Sequence, residues 1–326
     1  MPPGIILLLL FAAILHAIWN VLLKTASDPL RTAGRGMLIG AAFLVPVGLL
    51  GWLASGQPTL PIEAWRLALV SGVLEAAYFA FLSAAYKRGD LSLVYPIARG
   101  TAPVLSVAVG VVVLNETLEP QGWLGVALLL FGILSLQRPW AILRRGSAMP
   151  RHLQEAALFA LLTGVTIASY SAVDTVGARL IDPLFYAAML WTFTTFFLLG
   201  WIGLLVRRDR RRAAADPIAS QPVVGQPVAG HPAAPPTVGL RAILARPWIR
   251  SGIGGLITVG AYLLVLIAYR YAPLTAVAPL RESAIVIISG WGSFRLKEAA
   301  SRREALNRVA IALVIVVGAV LLATQP

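Results

Sequence analysis

The sequence contains no cysteine, which excludes a disulfide framework, a thiolate nucleophile and a thiolate metal site. Histidine is nearly as scarce. It occurs at His16, His152 and His231, whose spacing forms no metal-ligating pattern, so no metal is expected. Charge is low: 13% of residues are charged, where soluble domains carry about 25%. No Gly-x-x-x-x-Gly-Lys-Ser/Thr phosphate loop occurs and no soluble stretch is large enough to be an ATPase, so neither a nucleotide motor nor a cofactor is expected. The paired surface acids or His-rich loops that an intramembrane lipid transferase would use are missing too. The start of the chain lacks the basic region and small-residue cleavage site of a signal peptide. Its apolar run Ile5–Leu15 continues through Trp19 to Leu23 and reads as a membrane helix.

What the chain does have is apolar length. It is 58% hydrophobic with a mean hydropathy of +0.81. About 20 apolar residues cross a hydrocarbon core of about 30 Å. Ten such segments can be read, near 4–24, 35–54, 67–86, 91–113, 121–137, 155–176, 183–206, 250–270, 273–293 and 305–324. The expected class is an all-α integral membrane protein with ten transmembrane helices. Most connections are short, which makes neighbouring helices antiparallel. The exception is 207–249, which opens with Arg207-Arg208-Asp209-Arg210-Arg211-Arg212. It continues through an Ala/Pro/Gly/Val stretch, 213–239, with too few large apolar side chains to bury, and is expected to be a disordered insertion.

The net charge of +13 follows the loops. Of the 27 Lys and Arg, 22 lie in or beside the odd-numbered connections and three (Arg66, Arg179, Arg270) by the even ones. Arg99 and Arg281 fall inside segments. That asymmetry is an orientation signal for a plasma (inner) membrane of bacterial type and makes a nucleic-acid partner unexpected. It puts the odd connections in the cytoplasm and both termini outside.

The chain also repeats itself. Ala85-Tyr86-Lys87-Arg88 through Tyr95-Pro96 resembles Ala268-Tyr269-Arg270-Tyr271 through Ala278-Pro279 at a constant offset of 183. Beyond the prolines the offset slips to 182, where Arg99 meets Arg281 and Glu116 meets Glu298. Five segments per half is an odd number, so the second half must enter the membrane inverted. Inverted repeats are a recurrent architecture of secondary transporters, with the substrate site between the halves. The halves are 4–138 and 154–324, the second interrupted by 207–249.

The run Pro96-Ile97-Ala98-Arg99-Gly100-Thr101-Ala102-Pro103, then Leu114-Asn115-Glu116-Thr117-Leu118, then Gln121-Gly122-Trp123-Leu124-Gly125, resembles the fourth and fifth helices of an EamA repeat. His16-Ala17-Ile18-Trp19-Asn20 with Lys24 is similar to the first helix of many EamA members. The resemblance implies the drug/metabolite transporter superfamily, with ten helices around a central cavity and small metabolites as substrates. Asn307 and Arg308 depart from it where a tenth-helix glycine is usual.

Ionisable groups in hydrocarbon are costly and rarely idle. Counting about 1.5 Å per residue along each helix, His16, Glu75, Arg99, Arg281 and Glu282 reach a common depth near the midplane. His16, Trp19 and Asn20 share one helical stripe with Lys24. The expected substrate-binding set is His16, Trp19, Asn20, Glu75, Tyr78, Tyr95, Arg99, Tyr170, Tyr262, Arg281 and Glu282. Each aromatic could equally be packing, and Glu75 with Arg99, or Glu282 with Arg281, could be structural ion pairs. Ser169 and Ser283 are further candidates, Asp174 is expected near a helix end, and Glu116 and Glu298 are expected to bind backbone amides where the chain turns. Arg with acid at one depth suits a zwitterionic, amino-acid-like small molecule, exported or exchanged, with a proton as the natural coupling ion. The alternatives are a non-transporting membrane module and an intramembrane enzyme on lipid-linked substrates. The pattern specifies no oligomeric state.

Overall fold

The computed structural model describes residues 1–89, 91–137, 150–215, 246–283 and 301–325. Ten α-helices run through them: α1 Pro3–Lys24, α2 Pro29–Ala54, α3 Ile62–Tyr86, α4 Leu91–Val112 and α5 Pro120–Gln137, then α6 Arg151–Leu180, α7 Pro183–Ala215, α8 Pro247–Tyr271, α9 Leu274–Arg281 and α10 Arg302–Thr324. No strand occurs among the described residues. Seven helices (α1, α2, α3, α6, α7, α8 and α10) are long and apolar enough to cross a membrane, and α4 and α5 contain shorter apolar helices, Ile97–Val112 and Pro120–Ser135. The protein is a multi-pass, all-helical membrane protein.

Proline marks the helix starts. Pro3, Pro29, Pro120, Pro183 and Pro247 are first helical residues, where the missing N–H has no partner to lose and the ring presets φ. At α2, Asp28 adds a side-chain cap, accepting from Arg31 N at 3.1 Å. This is why α2 begins at residue 29 and not near 35. The arginine run expected in the loop is helical: α7 continues through Arg207–Arg212 to Ala215, with Arg207–Arg211 exposed. Arg and Ala are strong helix formers, so the helix outlasts the apolar span. The expected insertion beyond it, and the expected end of the ninth segment, lie largely outside the described residues.

Burial is inverted relative to a soluble protein. On α1, Leu7, Phe11, Ile14 and Ile18 form an exposed apolar stripe, while Ala13, Ala17 and Asn20 face inward. The interior holds Glu75, Arg99, Asp174, Arg281 and Glu282, each under a tenth exposed. Helix pairing is regular. α3 lies against α6 and α7, and α8 against α1 and α2; α2 also packs on α7, α4 on α9, and α5 on α10. Two pairs cross closely through glycine. A Cβ on Gly255 of α8 would collide with the Gly36 carbonyl of α2, and one on Gly72 of α3 would stand 2.9 Å from Thr194 N of α7. The two termini meet at one end of the bundle, where the Met1 amino group donates to Ala323 O at 2.9 Å. At the other end Arg88 pairs with Glu155 at 3.1 Å, and Arg250 donates to Leu22 O and to Thr25 Oγ1.

Candidate functional site

A small cavity lies in the middle of the bundle, bordered by His16 and Trp19 of α1, Met37 of α2, Glu75, Tyr78 and Phe79 of α3, and Arg99 of α4, with Tyr170 of α6, Trp191 of α7, and Thr258 and Tyr262 of α8 closing it. Its volume is about 30 Å³, the space of roughly one water molecule. The helices are closed around it in this conformation.

Arg99 is the best-connected charge. Its Nη1 lies 3.1 Å from Glu282 Oε1, and its Nη2 donates to Asn20 Oδ1 at 3.2 Å and Tyr78 OH at 3.4 Å. Asn20 in turn donates to the His16 carbonyl at 2.7 Å, which fixes its amide with the oxygen toward the guanidinium. Glu282 is shared: Arg281 Nε stands 3.3 Å from the same oxygen and Arg281 Nη1 reaches Ser171 Oγ at 3.4 Å, while its guanidinium carbon lies 6.0 Å from the Tyr170 ring centre. One buried carboxylate therefore serves two buried arginines from α4 and α9. This is charge-assisted bonding at low dielectric, where removing one partner of a buried pair costs about 3–5 kcal/mol.

The other acids have hydroxyl partners. Thr194 donates to Glu75 Oε2 at 2.9 Å. Tyr186 donates to Asp174 Oδ1 at 2.8 Å and Tyr262 to Oδ2. Between the two groups runs an aromatic chain. Tyr78 and Tyr170 are edge-on with centroids 6.1 Å apart, Tyr170 and Tyr262 follow at 6.0 Å, and Tyr262 and Trp191 at 6.0 Å.

Three cavity residues carry a buried polar atom with no hydrogen-bond partner among the described residues: His16 Nδ1, Trp191 Nε1 and Thr258 Oγ1. Buried polar atoms are bonded in the great majority of cases, so three around one cavity mark a place where a polar ligand would complete the bonding.

Of the residues expected from sequence, His16, Trp19, Glu75, Tyr78, Arg99, Tyr170 and Tyr262 border the cavity. Asn20 and Glu282 do not border it but bond Arg99, and Arg281 pairs with Glu282. The Tyr95 side chain and Glu298 lie outside the described residues. The considered Glu75–Arg99 pair is replaced by Glu75–Thr194 and Arg99–Glu282, because the acid just past the end of α9 reaches Arg99 directly. Ser169 turns outward and bonds its own helix at Val165 O. Asp174, expected near a helix end, lies six residues before the end of α6, which runs on to Leu180, and is fully buried. Glu116 accepts from Leu274 N at 2.7 Å and Thr275 N at 2.8 Å, capping α9. Asn115 before it has φ +52°, a left-handed turn that asparagine tolerates.

Sequence reasoning missed Met37, Phe79, Trp191 and Thr258. Met37 and Trp191 sit in apolar runs with no distinguishing mark. Thr258 had a signal: it stands 183 residues after Glu75, the offset of the repeat.

Comparison with known proteins bears on what such a cavity serves. Residues 3–137 match the EamA-like transporter family. The "Spermidine export protein MdtI" of Salmonella arizonae is 39% identical over 61 residues, 19% of this chain and 56% of that protein, and the proteins of the same name from Salmonella paratyphi B and Salmonella newport match to the same extent. The chain thus matches about half the length of these curated relatives. A crystal structure of a protein 19% identical superposes with a TM-score of 0.62, covering 100% of this chain and 99% of that one, a likeness of fold.

Proposed function

We infer that this chain, a member of the EamA-like transporter family, is a secondary transporter of a small polar metabolite, an exporter or exchanger of amino-acid-like substrates, working by alternating access around the central cavity. The observation that carries the reading is the cavity itself: Arg99 and Glu75 border one closed space together with the three unpartnered polar atoms of His16, Trp191 and Thr258. A substrate carboxylate suits the planar fork of Arg99, beside Asn20 and Tyr78. A substrate ammonium suits Glu75, and the rings of Tyr78, Tyr170, Trp191 and Tyr262 supply apolar and cation-π surface between them. A proton is the natural coupling ion, since the buried acids outnumber what the two arginines balance.

Alternating access needs two related halves, and the helix pairing supports them. If α1–α5 are matched in order with α6–α10, the packing of α3 on α6 and α7 becomes that of α8 on α1 and α2, and the α2–α7, α4–α9 and α5–α10 pairs map onto themselves. The close-crossing Gly72 and Gly255 are 183 residues apart, again the repeat offset. Inverted topology and ten crossings follow from this reading, in an inner membrane with the odd-numbered connections cytoplasmic.

The test is uptake or efflux of labelled amino acids in vesicles, at matched protein amount. Transport abolished by Arg99→Gln supports the reading, and transport unaffected by it removes Arg99 from the mechanism. A second reading, a polycation as in the relatives' name, is favoured by Glu75 and Asp174, whose oxygens are bonded by hydroxyls and not by arginine. Arg99 on the cavity wall argues against it. Spermidine in place of amino acids in the same vesicles separates the two.

A further inference from the structure

A second and far larger pocket opens where the termini meet, with a volume of about 600 Å³, within the range of about 300–1,000 Å³ typical of ligand sites. Its charged walls are Glu116, Arg179, Arg270 and the amino group of Met1, which donates to Ala323 O. The two arginines hold each other's helices. Arg179 of α6 donates to Tyr269 O at 3.0 Å and Ala272 O at 2.9 Å at the end of α8, and Arg270 of α8 donates to Ile181 O at 3.0 Å just past α6. Each guanidinium is thereby aimed without being used up. Of five N–H donors, Arg179 spends two on carbonyls and Arg270 one. Glu116 stands 3.8 Å from Arg179 and is itself bonded by two backbone amides of α9, which leaves Arg270 the less compensated cation.

The pocket shares its helices with the central cavity. Arg270 lies eight residues beyond Tyr262 on α8, and Arg179 nine beyond Tyr170 on α6, so the arginines stand about 12–14 Å along the same two helices from the cavity's tyrosines. Ala276 of α9 borders the pocket, and five residues on, the same helix ends at Arg281.

We propose that this pocket is an anteroom for the transported molecule on the terminal face, binding a carboxylate or other small oxyanion through Arg270 and Arg179. The proposal rests on the transport reading, and it adds a second station on the path. A bidentate guanidinium contact, made through the donors the carbonyls leave free, gives the group a fixed pose. The anion at the mouth is then coupled to the two helices that carry Tyr170 and Tyr262.

The absence of cysteine makes a direct test clean. Thr117→Cys places one thiol on the exposed pocket rim, in protein held in phosphatidylcholine nanodiscs. A negatively charged thiosulfonate should label it several-fold faster than a positively charged one. Millimolar sulfate, at ionic strength held constant with chloride, should slow that labelling several-fold. Arg270→Gln should lose the sulfate protection and weaken the reagent preference, which Arg179 and the Met1 amino group still support. Arg270→Lys should keep the reagent preference and lose most of the sulfate protection, since an ammonium keeps the charge but not the fork. Sulfate protection unchanged in both variants, or absent in the parent, would overturn the site. Slow labelling caused by adding phosphatidylglycerol, without sulfate, would show a lipid headgroup as occupant and overturn the metabolite source. None of these readouts needs transport, so failure of the amino-acid reading is seen separately.

Discussion

At the residue scale, the interior is an arrangement in which few ionisable groups can be changed singly. Arg281→Gln leaves Glu282 to Arg99 alone and leaves Ser171 without its guanidinium donor, so the variant should be less stable by about 3–5 kcal/mol, the usual penalty for breaking a buried pair. Thermal unfolding in detergent measures it, and a Tm within a degree of the parent would show the pair to be dispensable. Asp174 is a different case. It borders no part of the cavity, yet its two oxygens fix Tyr186 and Tyr262, and Tyr262 is cavity wall. Asp174→Ala removes both charge-assisted bonds, worth about 1.5–3 kcal/mol each, and should raise the KM for substrate more than Tyr186→Phe does, because only the former frees Tyr262. Equal KM values would make Asp174 purely structural. What the sequence made legible here was chemistry: an Arg or Glu in an apolar run is visible at once. Partners were not legible, because Glu282 lies 183 residues from Arg99 and nothing local joins them. Nor were Met37 and Trp191, which resemble the lipid-facing residues around them.

At the scale of the element, helix existence was readable from apolar length, and starts less so. Segments 35–54 and 67–86 begin at 29 and 62, since Asp28-Pro29 and Pro61 start the helices in polar surroundings before the apolar run. The end of α7 differs from the expectation for the converse reason: a run of charge reads as loop, yet Arg favours helix. Packing adds what hydropathy cannot: the α2–α8 and α3–α7 crossings depend on glycine. Gly255→Val must drive a side chain into the Gly36 carbonyl, and backbone cannot yield as a side chain can. Overpacking of this kind costs about 1–3 kcal/mol. Gly255→Val and Gly72→Val should each lower the Tm by several degrees, while Gly260→Val on α8, with nothing within 4 Å of the added Cβ, should leave it within a degree or two. Equal effects at all three positions would mean that helix propensity, and not the crossing, was being measured.

At the scale of the whole molecule, the paired termini and the balance of basic loops make one orientation testable. An impermeant thiol reagent added to intact spheroplasts should label Thr117→Cys and Gln325→Cys and spare Asp209→Cys. The reverse pattern would invert the molecule and make the pocket of Arg179 and Arg270 a cytoplasmic one. The offset of 183 is legible in the sequence, and which helices pack together is not, because helix pairing is decided by faces that hydropathy does not resolve.

On the proposed function, Arg99 and Glu75 handle an amino-acid-like substrate in a cavity that must open to admit it. Counterflow in proteoliposomes tests it most directly, with purified protein, an internal amino-acid mixture and single labelled amino acids outside. At least one label should accumulate with the parent protein, fall to the level of empty vesicles with Arg99→Gln and with Glu75→Gln, and be little restored by Arg99→Lys, with all variants equally inserted. Near-parental counterflow by both neutral variants, or none by the parent with any amino acid, would contradict it.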